Sequence, residues 1–82
     1  MAVSAQEIEA RIRAALPAAQ VSVTDTTGHG DHWSATVVAP DFHGKPLIDR
    51  HRIVYAALGD LMRAEIHALA LTTDTPEEYK RT

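Results

Sequence analysis

The central stretch of the chain, residues 46–59, reads PLIDRHRIVYAALG. Proline suits the first turn of a helix and glycine commonly follows the last, so the stretch predicts one helix between Pro46 and Gly59. Positions at helical spacing predict the stripe that this helix packs into the core. The stripe comprises Leu47, His51, Val54 and Leu58.

On the N-terminal side of this helix, the sequence predicts one further helix and two strands. Ser4 and Glu7 form a capping box, which predicts a first helix that Pro17 ends. Residues 20–25 alternate between polar and apolar side chains and predict a strand, and residues 32–39 predict a second. Because a short loop joins the two strands, we expect them to pair antiparallel.

On the C-terminal side, the sequence predicts a short helix, a strand and a terminal helix. Asp60 is the predicted N-cap of a helix from Leu61 to about Glu65, and residues 68–72 form the predicted strand. Residues 75–78, TPEE, are a second capping box. The order αββααβα predicts an α+β domain, with a three-stranded mixed sheet covered by helices on one face.

Length and composition limit the classes of protein to consider. The 82 residues suit a single domain over 1–82, and 45% hydrophobic with 23% charged residues is typical of a folded chain. The net charge of -3 disfavours tight nonspecific binding to nucleic acid, which depends on cations. The absence of cysteine excludes disulfides, a catalytic thiol and a self-sufficient iron–sulfur site.

Neither a membrane span nor a catalytic constellation is evident in the sequence. No segment approaches the roughly 20 apolar residues that cross a bilayer, and the N-terminus lacks the features of a signal peptide. We therefore expect an unprocessed, cytoplasmic protein. The carboxylates show no paired spacing for general acid–base chemistry, and Gly28-His29-Gly30 is too short for a phosphate loop. The sequence thus predicts a protein that is not an enzyme.

Three segments together resemble the BolA family: FHGKPLIDRHRIVY at 42–55, EIHAL at 65–69 and TPEE at 75–78. The likeness extends over nearly the whole chain. It implies a fold similar to a class II K-homology domain. It also implies a partnership with a monothiol glutaredoxin, in which the two proteins jointly hold a [2Fe-2S] cluster for iron trafficking or sensing.

The same resemblance implies two cluster ligands from this chain, beside the thiolates of glutaredoxin and glutathione. His67 matches the histidine that the family shares. The family takes its second ligand, His or Cys, from the loop between the first two strands. Counting back from the aromatic Trp33 places that ligand at His29, and His32 is the rival candidate.

The alternative function is that of a nucleic-acid-binding transcriptional regulator. Some BolA proteins are linked to transcription, and the central helix carries Arg50 and Arg52, with Lys45 and His51 as further candidate contacts to a partner or to nucleic acid. The junction after that helix, LGDLM at 58–62, lacks the second glycine of the Gly-x-x-Gly loop with which K-homology domains clamp RNA. The likeness in fold therefore does not transfer RNA binding.

Overall fold

The computed structural model describes residues 3–81. Its elements follow the predicted order, with one 3-10 turn added after the second strand. They are α1 (Ala5–Ala15), β1 (Gln20–Asp25), β2 (His32–Val38), the turn Pro40–Phe42, α2 (Leu47–Leu58), α3 (Leu61–Ala64), β3 (Ala68–Asp74) and α4 (Pro76–Arg81). The predicted α+β class is confirmed.

The sheet is three-stranded and mixed, in the order β1-β2-β3. β1 pairs antiparallel with β2, as the short loop predicts, whereas β2 and β3 are parallel. A parallel pair needs a crossover, which α2 and α3 supply. The register sets Trp33 opposite both Asp25 and Leu69, and His32 opposite Ala68. The N-terminal ends of β2 and β3 therefore lie side by side.

The core lies between one face of the sheet and the first two helices. Alternate strand residues are buried on that face, as expected for a sheet covered on one side. The fully buried side chains at its centre are Ile8, Ile12, Val37, Phe42, Val54 and Leu58. Among residues 3–81, no helix is long and apolar enough to cross a bilayer.

Side-chain caps begin two of the helices, but only half of the capping box predicted at α1 forms, because the Glu7 carboxylate pairs with Arg11 at 3.7 Å. The Ser4 hydroxyl accepts from the Glu7 N–H at 3.1 Å. At α4 the capping box is reciprocal: the Thr75 N–H donates to Glu78 Oε1 at 2.8 Å, and the Glu78 N–H donates to Thr75 Oγ1 at 3.2 Å. The chain therefore turns out of β3 and into α4 at a defined point.

Two local predictions are wrong. Leu47 is 62% exposed, because it begins α2 and lies two helical turns before Val54, which is fully buried. Asp60 does not cap α3 with its side chain. Its backbone is helical, at φ -66° and ψ -18°, rather than extended as an N-cap requires, and its carboxylate accepts from Arg11 at 3.4 Å instead.

Candidate metal centre

His32 and His67 meet at one end of the sheet. His32 is the first residue of β2 and His67 immediately precedes β3, so the parallel register brings the two side chains together. Their ring centroids are 5.2 Å apart and the ring planes are inclined by 32°. The backbone fixes this pairing, because the N–H groups of His67 and Ala68 both donate to the Asp31 carbonyl oxygen, at 2.8 and 3.2 Å.

The two imidazoles border an open cavity of about 460 Å³. Its lining combines Asp31 and His32 with the segment 62–67, which contains the last three residues of α3 and the residues that follow it. His67 is exposed and the His32 side chain is 42% exposed. Both rings can therefore be reached from solution by another molecule.

The separation of the rings suits two ligands of one metal ion. Two imidazoles that bind a tetrahedral ion through nitrogens at about 2.1 Å have ring centroids about 5 Å apart. The observed 5.2 Å agrees with this value. Within residues 3–81, no group of three or more His, Cys, Asp or Glu side chains could hold a metal. The ring separation of the pair is therefore compatible with two imidazoles that share one ion.

Asp31 adds a negative charge beside the pair. Its Oδ2 lies 3.9 Å from His32 Nε2. Desolvation acts to raise the pKa of Asp31, but the hydrogen bond from the Thr27 hydroxyl, the charge of His32 and backbone N–H groups together lower it below its usual value. Asp31 is therefore a carboxylate at neutral pH, which favours a cation at the mouth of the cavity.

His29 lies on the connection between β1 and β2, and its side chain is exposed. Its N–H donates to Thr27 Oγ1 at 3.2 Å. In the described part of the chain, the only ring beside His67 is that of His32. The structure thus brings together His67 and His32, and leaves His29 exposed on the β1–β2 connection.

The family model described as BolA-like protein matches residues 4–78. The chain belongs to the BolA family. A solved BolA homologue from Coxiella burnetii has a TM-score of 0.82 and 41% identity, covering 96% of this chain and 99% of that chain. BOLA2 of Arabidopsis thaliana is 38% identical over 95% of this chain and 85% of its own length. The DNA-binding transcriptional regulator BolA of Escherichia coli is 30% identical, over 92% and 78% respectively.

Arg50, in the BolA-like motif, is engaged within the fold. Its side chain is 12% exposed, and its guanidinium donates to Glu78 Oε1 at 2.7 Å. It also donates to the carbonyl oxygens of Lys45 and Thr73, at 2.9 and 3.4 Å, and lies 5.9 Å from the centre of the Phe42 ring. These contacts fasten α2 to the junction of β3 and α4, and they argue against Arg50 as a contact to phosphate.

The other three candidate contacts of this BolA domain differ in exposure. Lys45 and Arg52 are exposed. His51 is partly buried and stands edge-on to Tyr55, with ring centroids 6.3 Å apart. Its Nε2 is buried without a hydrogen-bond partner among the described residues. Lys45 and Arg52 are thus the side chains available to an acidic partner.

Sequence reasoning missed the role of Asp25 in the BolA fold, having examined it only as a possible acid or base. Its carboxylate accepts backbone N–H groups of the connection that carries His29. The sequence feature that could have indicated this role is the spacing of Asp25 from Gly28 and Gly30, which follow it by three and five residues. Such spacing is typical of a loop that folds around the Asp side chain.

Proposed function

We propose that this chain is a non-enzymatic partner of a monothiol glutaredoxin, and that the two proteins jointly hold a [2Fe-2S] cluster in cytoplasmic iron–sulfur trafficking or iron sensing. The observation that carries the proposal is the exposed pair of His32 and His67. Their rings are 5.2 Å apart at the mouth of an open cavity, in a chain of the BolA family without cysteine.

The side chains of this chain indicate which cluster ligands each partner supplies. This chain offers imidazole nitrogens, so thiolates for the cluster come from the glutaredoxin and from glutathione. A cluster that has imidazole in place of some thiolate ligands has a higher reduction potential. His67 is the first ligand in this proposal. The second is either His29 on the β1–β2 connection, which the family motif favours, or His32 at the start of β2, which the ring separation favours.

The test compares His67→Ala with His43→Ala, a matched control in the exposed segment after Phe42. Because the His67 side chain is exposed, its loss should leave the fold intact. We expect the His67→Ala chain to keep its far-ultraviolet circular dichroism but to lose the cluster-bridged complex with glutaredoxin and glutathione. Visible circular dichroism of the purified complex measures this loss.

The control variant should behave as the unchanged chain does. A His67→Ala complex with the original visible spectrum would show that His67 is not a ligand.

A second candidate function is binding to DNA, because the Escherichia coli relative is a DNA-binding transcriptional regulator. Among the candidate contacts, Arg52 and Lys45 are exposed cations, whereas Arg50 is engaged by Glu78. Phosphate contacts predict that the logarithm of the binding constant falls by about 0.9 per contact for each tenfold rise in salt. Affinity for duplex DNA that does not change with salt, or that survives Arg52→Ala unaltered, would argue against this function.

A further inference from the structure

The β1–β2 connection folds around the carboxylate of Asp25. Oδ1 accepts from the Gly28 N–H at 2.9 Å and from the Thr27 N–H at 3.3 Å, and Oδ2 accepts from the Gly30 N–H at 2.9 Å. Gly28 and Gly30 have φ of 80° and 75°, which glycine adopts without strain. These two conformations turn the N–H groups inward onto one side chain.

Hydrogen bonds connect this loop to His29 and, through Asp31, to His67. The Thr27 hydroxyl oxygen accepts from the His29 N–H at 3.2 Å, and the hydroxyl donates to Asp31 Oδ1 at 3.1 Å. The Asp31 carbonyl oxygen in turn accepts from the His67 N–H at 2.8 Å. A shift of the loop around Asp25 therefore displaces His29 directly and acts on His67 through Asp31.

The pattern of bonds requires a carboxylate of this length. An ionised Asp has two oxygens that only accept, which matches three inward N–H donors. An amide at this position presents an NH₂ group to one set of donors and loses their bonds. Glutamate keeps the charge but places the carboxylate one methylene further from the backbone, so that the three donors no longer converge on it.

We propose that Asp25 is a positioning residue for the cluster ligands, because it holds the β1–β2 connection in the shape that presents them. This inference rests on the proposed function. The ordered loop holds His29 in place before the cluster binds, so that binding does not have to order the loop.

The test compares Asp25→Asn and Asp25→Glu with Asp41→Asn, an exposed acid in the turn at the opposite end of β2. In the chain alone, hydrogen exchange measured by NMR should accelerate roughly tenfold or more at both Gly28 and Gly30 in Asp25→Glu, because the carboxylate is displaced. In Asp25→Asn it should accelerate at one of the two glycines, because the amide keeps one accepting oxygen and loses the other. In the complex with glutaredoxin and glutathione, the lifetime of the cluster should fall roughly tenfold or more, as on loss of an outer-shell partner. The visible circular dichroism should change as well.

Asp25→Glu separates positioning from charge, because a role that depends on charge alone leaves this variant like the unchanged chain. Unaltered exchange at Gly28 and Gly30 in Asp25→Asn would overturn the inference. So would faster exchange combined with an unaltered cluster lifetime and spectrum. If the unchanged chain forms no cluster-containing complex, the proposed function fails together with the ligand role, and the exchange data still show whether Asp25 orders the loop.

Discussion

His29 lies on the β1–β2 connection and His32 begins β2, so the two histidines are held in different ways. His32 is paired into the sheet opposite Ala68 and contacts the His67 ring, whereas His29 lies on the loop that Asp25 organises. A ligand in the sheet, such as His32, has a backbone that strand pairing holds rigidly. A ligand on the loop depends on the Asp25 hydrogen bonds for its position.

Single substitutions distinguish the two residues. If His29 is the second ligand, His29→Ala should shorten the cluster lifetime roughly tenfold or more while His32→Ala changes it little. His29→Cys should then lower the reduction potential, because thiolate donates more charge to iron than imidazole does. The measurements are visible circular dichroism and potentiometry of the heterocomplex. A changed spectrum in His32→Ala alone would assign the role to His32.

At the scale of elements, one carboxylate joins α4 to α2. Glu78 accepts from Arg50 on α2 and from the Thr75 N–H, and these bonds lower the pKa of Glu78 from an ordinary value of 4.5 to about 2. A carboxyl group whose pKa is lower in the folded state stabilises that state above pH 4.5. It loses this effect as the pH falls toward 2.

Glu78→Gln should therefore lower the melting temperature most at neutral pH. The difference from the unchanged chain should shrink between pH 4.5 and about 2, because glutamine does not titrate and the unchanged chain loses its advantage there. Thermal unfolding across this range measures the difference, with Glu77→Gln as a control for the loss of one negative charge. A difference that stays constant across the range would contradict the role of the Arg50 contact.

Local signals in the sequence predicted most of these elements. Capping boxes, alternating strands and the glycine after α2 depend on neighbouring residues, so the order and the bounds could be predicted within a few positions. The exposure of Leu47 could not be predicted, since helical spacing does not say where along a helix the core begins. The contact of Asp60 with Arg11 could not be predicted either, because it joins residues that are far apart in the sequence.

The candidate site was predicted only in part, for a related reason. The family motif indicated His67, and it indicated His29 with His32 as the rival candidate. The assignment of these residues as ligands stays a prediction. The contact between His32 and His67 depends on the parallel register of β2 and β3, which no local pattern specifies. The hydrogen bonds of Asp25 depend on the conformation of two glycines.

At the scale of the whole molecule, the structure brings two imidazoles together, whereas the proposed [2Fe-2S] cluster takes four protein or thiol ligands. The chain contains no cysteine, and the histidine pair supplies two nitrogens. We expect reconstitution of the chain alone to give substoichiometric iron and sulfide after desalting, and addition of glutaredoxin with glutathione to retain the cluster. Iron and sulfide assays measure both. A persistent brown species with stoichiometric iron in the chain alone would contradict this expectation.

The parallel pairing of β2 with β3 also determines when, during synthesis, the imidazole pair comes into existence. His32 leaves the ribosome well before the residues of β3, and the bonds from His67 and Ala68 to Asp31 form only once that strand docks. Contacts between residues so far apart in sequence form slowly. A nascent or truncated chain that lacks Ala68–Asp74 therefore presents isolated histidines, and the paired arrangement of His32 and His67 is acquired only once β3 has docked.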